Sequence, residues 1–275
     1  GDSAVNIYVV KSREHNEGAK TPSRLADLSW RYLTDLDTFT NRSGHTQYFT
    51  PDAHEGAWIR FRYRNLGIDG TGELDGNTYE LGYTTVLRNQ EPHKHRLSTS
   101  VAYTKNEGHF EGTSGNLGLR DTAISVYDTH VYTPTELTRK ADWKKGTYSY
   151  WDSYLKYHYG KEDYSVTDAI TGTGYAADYT RHSVNLSTEY GRVNKLSKDW
   201  SVVPQAQVQV SYLGGVDTVD SQGISLSADH SWSLVGRLGF DLVKHLDPKL
   251  DSKCYFKASL LHEFLDGDDV TAAYG

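Results

Sequence analysis

The chain of 275 residues holds a single cysteine, Cys254, so it can form no internal disulfide and has no cysteine pair for a metal. Apolar runs are short. None approaches the roughly 20 residues a membrane-spanning helix needs, which excludes helical membrane spans. Positive charge is in deficit: the formal net charge is -7, so the basic footprint usual for nucleic-acid binding is missing. The chain opens Gly1-Asp2-Ser3, without methionine or a charged segment leading into an apolar one. Any export signal is therefore expected upstream, in a longer protein. Hydrophobic residues make up only 37%, and the mean hydropathy is -0.65. That value fits a soluble protein. It also fits a membrane β-barrel, whose strands alternate outward apolar and inward polar residues and so average to a polar sequence.

What is abundant is 21 Tyr, 6 Trp and 25 Gly against 6 Pro, a balance of strand formers and turn residues that points to an all-β chain. Residues 1–55 stand apart as a charged segment without period-2 alternation. Within it, Pro22 to Leu33 predicts a helix of two or three turns. Ser23 is its candidate N-cap, and Leu25, Leu28, Leu33 and Leu36 with Trp30 and Tyr32 form an imperfect apolar stripe.

From residue 56 to 275 the pattern changes to about nine alternating segments of a length that suits a tilted membrane strand. The first puts Ala57, Ile59, Phe61 and Tyr63 on one face and Arg60, Arg62 and Arg64 on the other. Later segments set Tyr79, Leu81, Tyr83 and Leu87, then Leu97, Val101 and Tyr103, then Val184, Leu186 and Tyr190 outward. Val202, Ala206, Val208, Val210 and Tyr212 oppose the amides Gln205, Gln207 and Gln209. In the eighth, Trp232, Leu234, Leu238, Phe240 and Leu242 oppose Arg237 and Asp241. The ninth sets Phe256, Ala258, Leu260 and Phe264 against Lys257, Ser259 and Glu263. A row of amides suits a wet lumen better than a dry core. Linkers near 66–77, 105–118, 161–179 and 214–228 read as long and those near 89–95, 193–199 and 245–252 as short, the alternation expected of outer-membrane barrels; only 133–145 breaks it.

Several motifs carry a resemblance. Arg24-Leu25-Ala26-Asp27-Leu28 is followed by Gly56-Ala57-Trp58-Ile59-Arg60 and Leu81-Gly82-Tyr83. Tyr150 to Tyr157 and Ser187-Thr188-Glu189-Tyr190-Gly191 come next. Val203-Pro204-Gln205-Ala206-Gln207, Gly236-Arg237-Leu238-Gly239 and His262-Glu263-Phe264 complete the series. In order and spacing these resemble the autotransporter (type V secretion) β-domain family, from about Arg24 to the chain end. The resemblance implies a transmembrane antiparallel β-barrel of about 12 strands, about nine present here, preceded by an N-terminal pore helix. The chain is accordingly expected to lack its last strands. Residues 1–55 would be the linker and pore-helix region after an absent passenger, and 56–275 the translocator barrel in the bacterial outer membrane.

On that reading the pore-helix candidates are Arg24, Leu25, Asp27 and Leu28. The candidate pore lining is Arg60, Arg62, Arg64, Glu80, Asp152, Lys156, Glu189, Gln205, Gln207, Arg237 and Glu263. Arg24 is expected to meet Glu189 or Glu263, and Asp27 one of Arg60, Arg62 or Arg237. The implied partners are outer-membrane lipid, the chain's own passenger, the barrel-assembly machinery and periplasmic chaperones. No catalysis, cofactor, metal or nucleic acid is expected. Self-cleavage at Asn6 or Asn16 is disfavoured, since no Asn-Asn pair is present. Another outer-membrane barrel, a porin or a rim-active enzyme, and a soluble β-rich carbohydrate-binding domain stay open as alternatives. Asp69 to Gly76 and Asp266-Gly267-Asp268-Asp269 read as acidic loop tips, His93-Lys94-His95 as a chance pair in a turn, and Gly172-Thr173-Gly174 as a loop. Trp58, Trp143, Trp200 and Trp232 are girdle candidates.

Overall fold

The computed structural model describes residues 17–43, 55–133, 147–247, 252–265 and 270–274. Helices α1 (Glu17–Leu33) and α2 (Phe39–Ser43) precede the strands β1 (Gly56–Ile68), β2 (Gly72–Gln90), β3 (His93–Phe110), β4 (Asn116–Tyr132), β5 (Tyr148–Thr167) and β6 (Gly174–Lys195). There follow β7 (Trp200–Leu213), β8 (Val216–Val219), β9 (Ile224–Ala228), β10 (Ser231–Asp247), β11 (Ser252–Glu263) and β12 (Val270–Tyr274). Nine strands form one antiparallel curled sheet in the order β1-β2-β3-β4-β5-β6-β7-β10-β11, which agrees with the number of alternating segments. The small sheet β12-β9-β8 stands outside it.

Turns gather at two rims. The upper rim carries 69–71, 111–115, 168–173 and the insertion 214–230; among the described residues the lower carries 91–92 and 196–199. The expected long linkers at 66–77, 105–118 and 161–179 are mostly strand, and β1 turns into β2 over three residues, with Gly70 at φ +74°. Their Gly, Asp, Ser and Thr content reads as loop, but alternation continues beneath it: Leu74, Phe110, Leu117, Leu119, Tyr164, Val166, Tyr175 and Ala177 all point inward and are buried. The linker 214–228 holds the β8–β9 hairpin, held to β6 by Ser221 N–H donating to the Ala176 carbonyl at 2.8 Å. All of the exceptional connection at 133–145 but Thr133, with Trp143 in it, and Asp266 to Asp269 lie outside the described residues, as do Asn6 and Asn16.

The helix starts earlier than the sequence predicts. Pro22 sits inside α1, and Ser23 is an exposed interior residue rather than the N-cap. Pro22 is the sixth residue of α1, where it forgoes the hydrogen bond to the carbonyl of residue 18, and the helix nonetheless extends a turn ahead of it. The apolar stripe is where periodicity puts it, with Leu25, Leu28, Tyr32, Leu33 and Leu36 buried. Leu25, Leu28, Tyr32 and Leu33 pack against Leu74, Phe110, Leu117, Leu119, Tyr164, Val166, Leu213 and Leu226 in one apolar cluster at the upper rim. A second cluster, Phe39 with Val131, Tyr148, Tyr150, Val193, Val203 and Val243, lies toward the lower rim.

Candidate functional site

The inward face of β4, β5, β6 and β7 reads apolar, polar, apolar from rim to rim, whereas β3 sets Lys94 and Arg96 inward at its lower end. On β7 it runs Val203, Gln205, Gln207, Gln209, Ser211, Leu213; on β4, Leu117, Leu119, Asp121, Ala123, Ser125, Tyr127, Thr129, Val131. A polar belt thus lies between two apolar collars, and the segment 17–43 runs through all three.

At the upper rim the Glu17 N–H donates to Asp168 Oδ2 at 3.4 Å, giving a partner to a backbone donor that the helix start leaves over. Ser29 Oγ donates to Glu162, and Tyr32 OH to Asp121 Oδ2 at 3.0 Å. At its other end α1 would bury its last carbonyls unpaired, but Asn185 donates to Leu33 O and Gln209 to Thr34 O, each at 2.8 Å.

Beyond α1 the chain leaves regular structure until α2, and Asp37 becomes the charge centre. Its carboxylate meets Arg60 Nη2 at 3.1 Å, Lys156 Nζ at 3.4 Å and Arg62 Nη1 at 3.5 Å, while its N–H donates to Tyr154 OH at 3.1 Å. Asp35 pairs with Arg64 at 2.7 Å nearer solvent. Then α2 enters the lower collar. Phe39 stacks on Tyr150 with centroids 4.1 Å apart, its N–H donates to Glu189 Oε1 at 3.2 Å, and Arg42 pairs with buried Asp152 while lying 4.2 Å over the Tyr127 ring.

The wall is braced in its own right. Glu80 accepts from Arg60 Nε at 2.8 Å, Ser100 at 2.7 Å and Tyr127 at 2.8 Å. Arg237 forks across strands to Gln207 at 2.9 Å, Gln205 at 3.0 Å and Glu189 Oε1 at 2.9 Å. Such charge-assisted, multiply satisfied contacts let buried ions persist where single ones would be costly.

All eleven expected lining residues lie on this inner face, and all but Glu263 stand beside the segment or its braces. Glu263 accepts Leu234 N–H at 2.8 Å and Ser233 Oγ at the sheet edge. The expected helix partners differ. Arg24 pairs with Glu17 of its own helix at 3.3 Å, because Glu189 is taken by Arg237, Tyr150 and Phe39. The acid that meets Arg60 and Arg62 is Asp37, whereas Asp27 lies on the exposed face of α1. Sequence reading missed Asp37, Arg42, Asp121 and Glu162; it placed Gln209 in the inward row of amides without counting it among the lining residues. Asp35 and Asp37 at i, i+2 opposite Arg60, Arg62 and Arg64 were a legible signal of charge complementarity.

Of the girdle candidates, Trp58 does not reach the outer surface. It faces inward with its ring over Gly82, where an added Cβ would meet it at 2.2 Å, while Trp200 and Trp232 are exposed on the outer surface. The span Asp69 to Gly76 is a turn running into β2, and Asp75 accepts Tyr63 OH at 2.9 Å. Gly172 closes the β5–β6 turn at φ +71°. His93-Lys94-His95 opens β3 rather than forming a turn, so His93 and His95 share its outer face.

The family described as Autotransporter beta-domain matches residues 57–275. Over 260 residues the chain is 30% identical to the pertactin autotransporters of Bordetella parapertussis and Bordetella bronchiseptica, covering 91% of this chain and 26% of each relative. It therefore spans about a quarter of the length of those relatives. Its fold is like the β-domain of the Bordetella autotransporter BrkA, with TM-score 0.61, 22% identity, and 80% of this chain against 86% of that one. It is also like the transport unit of the autotransporter AIDA-I from Escherichia coli, with TM-score 0.59, 11% identity, and 95% against 82%.

Proposed function

The chain belongs to the autotransporter β-domain family, and we infer from that premise how it serves passenger export. Members of the family are translocators and not generally catalytic, and a translocator barrel for an N-terminal passenger is the function supported for this chain. In the proposed account the barrel sits in the outer membrane and residues 17–43 are the trailing end of the exported polypeptide, held in the lumen once the passenger has left. Residues 1–55 then form the link to the passenger, and 56–275 the barrel wall.

The observation that carries this reading is the clasp around Asp37. Three cations from the wall, Arg60, Arg62 and Lys156, converge on one acid of the threaded segment. Such a clasp makes sense for a strand of chain that must stop at a fixed depth, and a porin has no use for a filled lumen. Arg60, Arg62, Lys156, Glu80, Asp152, Glu189, Gln205, Gln207 and Arg237 are the proposed pore lining, with Arg64 toward its mouth. Leu25 and Leu28 seat the helix, and Arg24 and Asp27 tune its polar face.

The outer surface supports the membrane assignment. Ile59, Phe61, Tyr63, Leu81, Leu186, Leu238 and Leu260 are exposed there, and the run on β2 from Tyr79 to Leu87 is about the nine residues a tilted membrane strand needs. In lipid the edges β1 and β11 must be paired, since each unsatisfied backbone group costs several kcal/mol there. The test is conductance of the full-length protein in proteoliposomes. The intact protein should conduct little, and deletion of residues 17–43 should open it; equal conductance of the two, with both migrating as folded barrels, overturns the plug.

A further inference from the structure

The outer surface near the lower rim carries a group of side chains that the translocator reading does not use. His93 and His95 lie two residues apart on β3, and Asp128 and His130 two apart on β4. Register places His95 opposite His130, His93 opposite Tyr132 and Leu97 opposite Asp128. Alternation then brings three imidazoles and one carboxylate onto one face of one strand pair. The sequence reading discounted His93 and His95 because it put them in a turn, and strand β3 instead sets both on the face that carries Asp128 and His130.

The group is tightly built. The His95 and His130 rings stack at 3.9 Å, and His93 lies 5.1 Å from His130 and 4.7 Å from Tyr132. His95 Nε2 and His130 Nε2 both address the Asp128 carboxylate, the latter at 3.0 Å, and His93 Nε2 lies 2.8 Å from His130 Nδ1. One ligand atom from each of His95, Asp128 and His130 can be chosen so that all three lie within 4.8 Å of one another. Ligands around a tetrahedral zinc at about 2.0–2.2 Å stand about 3.4 Å apart, a spacing reached here by small side-chain rotations. The charged neighbours leave room for a cation: Lys94 points to the opposite face and pairs with Glu91, and Arg88 donates to the His93 backbone carbonyl at 3.0 Å.

We propose that His95, Asp128 and His130 bind a divalent transition metal ion of the zinc class, held through the two Nε2 atoms and the carboxylate. His93 completes the site from behind. With the ion on His130 Nε2, the His130 Nδ1–H donates to His93 Nε2, which fixes the tautomer and orientation of the ligand. Three protein ligands leave a coordination position for water. The bound ion bridges the first residues of β3 and the last residues of β4 before Tyr132.

Zinc and cobalt are the probes, used on full-length protein extracted in mild detergent and stripped with chelator. Titration with Co²⁺ should give visible absorption bands that Zn²⁺ abolishes at one equivalent. H95A and H130A should each lose binding by at least about 100-fold, and H93A should weaken it about 10- to 100-fold, as for a residue that orients a ligand. H109A, a substitution elsewhere on the outer surface, should leave it unchanged. In the unsubstituted protein, zinc should also protect His95 and His130, but not His109, from diethylpyrocarbonate, so the answer does not depend on assembly of the variants. Absence of the bands, unaltered binding when His95 and His130 are both replaced, or equal modification of all three histidines with and without zinc overturns the proposal.

Discussion

Two acids in one short stretch of chain do different work because of where they sit. Asp37 is buried among Arg60, Arg62 and Lys156, whereas Asp35 and its partner Arg64 are partly exposed. Removing one member of a buried ion cluster strands the others, at about 3–5 kcal/mol, while an exposed pair contributes about 0–1 kcal/mol. D37A should therefore release the lumen segment, seen as channel openings and protease access to residues 17–43, while D35A should behave as the parent protein. Asp168, in the β5–β6 turn, gives the pH counterpart. Its carboxyl is held below the usual range by the Thr171 backbone N–H, despite some opposing desolvation, with further help from the N–H groups of Ile170 and Glu17. A depressed folded value means its contribution is full above the ordinary carboxylate range and is lost as pH falls through the folded value. Amide exchange at Ile170 and Thr171 should accelerate at such acid pH, and in D168N it should already be faster at neutral pH. The charged residues on strand faces were legible because alternation assigns their side. Asp37 was missed, because the segment between the two helices has no strand alternation from which to read a face, and only its spacing from Asp35 against the arginine row of β1 pointed to it.

Among the elements, the strands were legible and their lengths were not. Ala57 to Arg64 announces a strand, but β1 runs on to Ile68 and β2 begins at Gly72. Above the belt the outer face turns polar, with Glu73, Asp75, Lys105 and Glu107 exposed, while the inner face turns apolar with Leu74 and Phe110. Scanning for apolar residues outside and polar residues inside stops where the two exchange places, so it trims each strand at the belt. The same exchange explains the seat of α1, whose leucines need an apolar wall. Leu28 is fully buried there and Ser23 is exposed. Truncating a buried leucine costs about 2–5 kcal/mol, and an exposed helix substitution stays within about 0.5 kcal/mol. L28A should thus loosen α1 and S23A should not, as read by the denaturant dependence of a fluorophore on the helix; equal midpoints would detach the helix from the upper collar.

For the molecule as a whole, the polarity exchange fixes a depth scale. A wall that is apolar outside and polar inside belongs in lipid around water; one that is polar outside and apolar inside is an ordinary soluble shell around a packed helix. Both regimes occur on single strands of this sheet, so the upper third should stand clear of the membrane. β4 allows the clearest test, since Asn116, Arg120, Ile124 and Val126 all lie exposed on its outer face and Arg120 already carries a charge there. A lysine facing the bilayer midplane costs about 2–4 kcal/mol, falling to about 0–1 kcal/mol at the interface. I124K should accordingly lower the stability of the full-length protein refolded in liposomes by most of that range, while N116K, eight residues along the same face, should leave it nearly unchanged. Ile124 is mid-strand and Asn116 the first residue of β4, so I124T serves as the control that keeps strand propensity, and the excess cost of I124K over it reports the depth of the charge in the membrane. Equal costs would mean that Ile124 and its apolar neighbours do not face lipid, and that the belt is covered by something else.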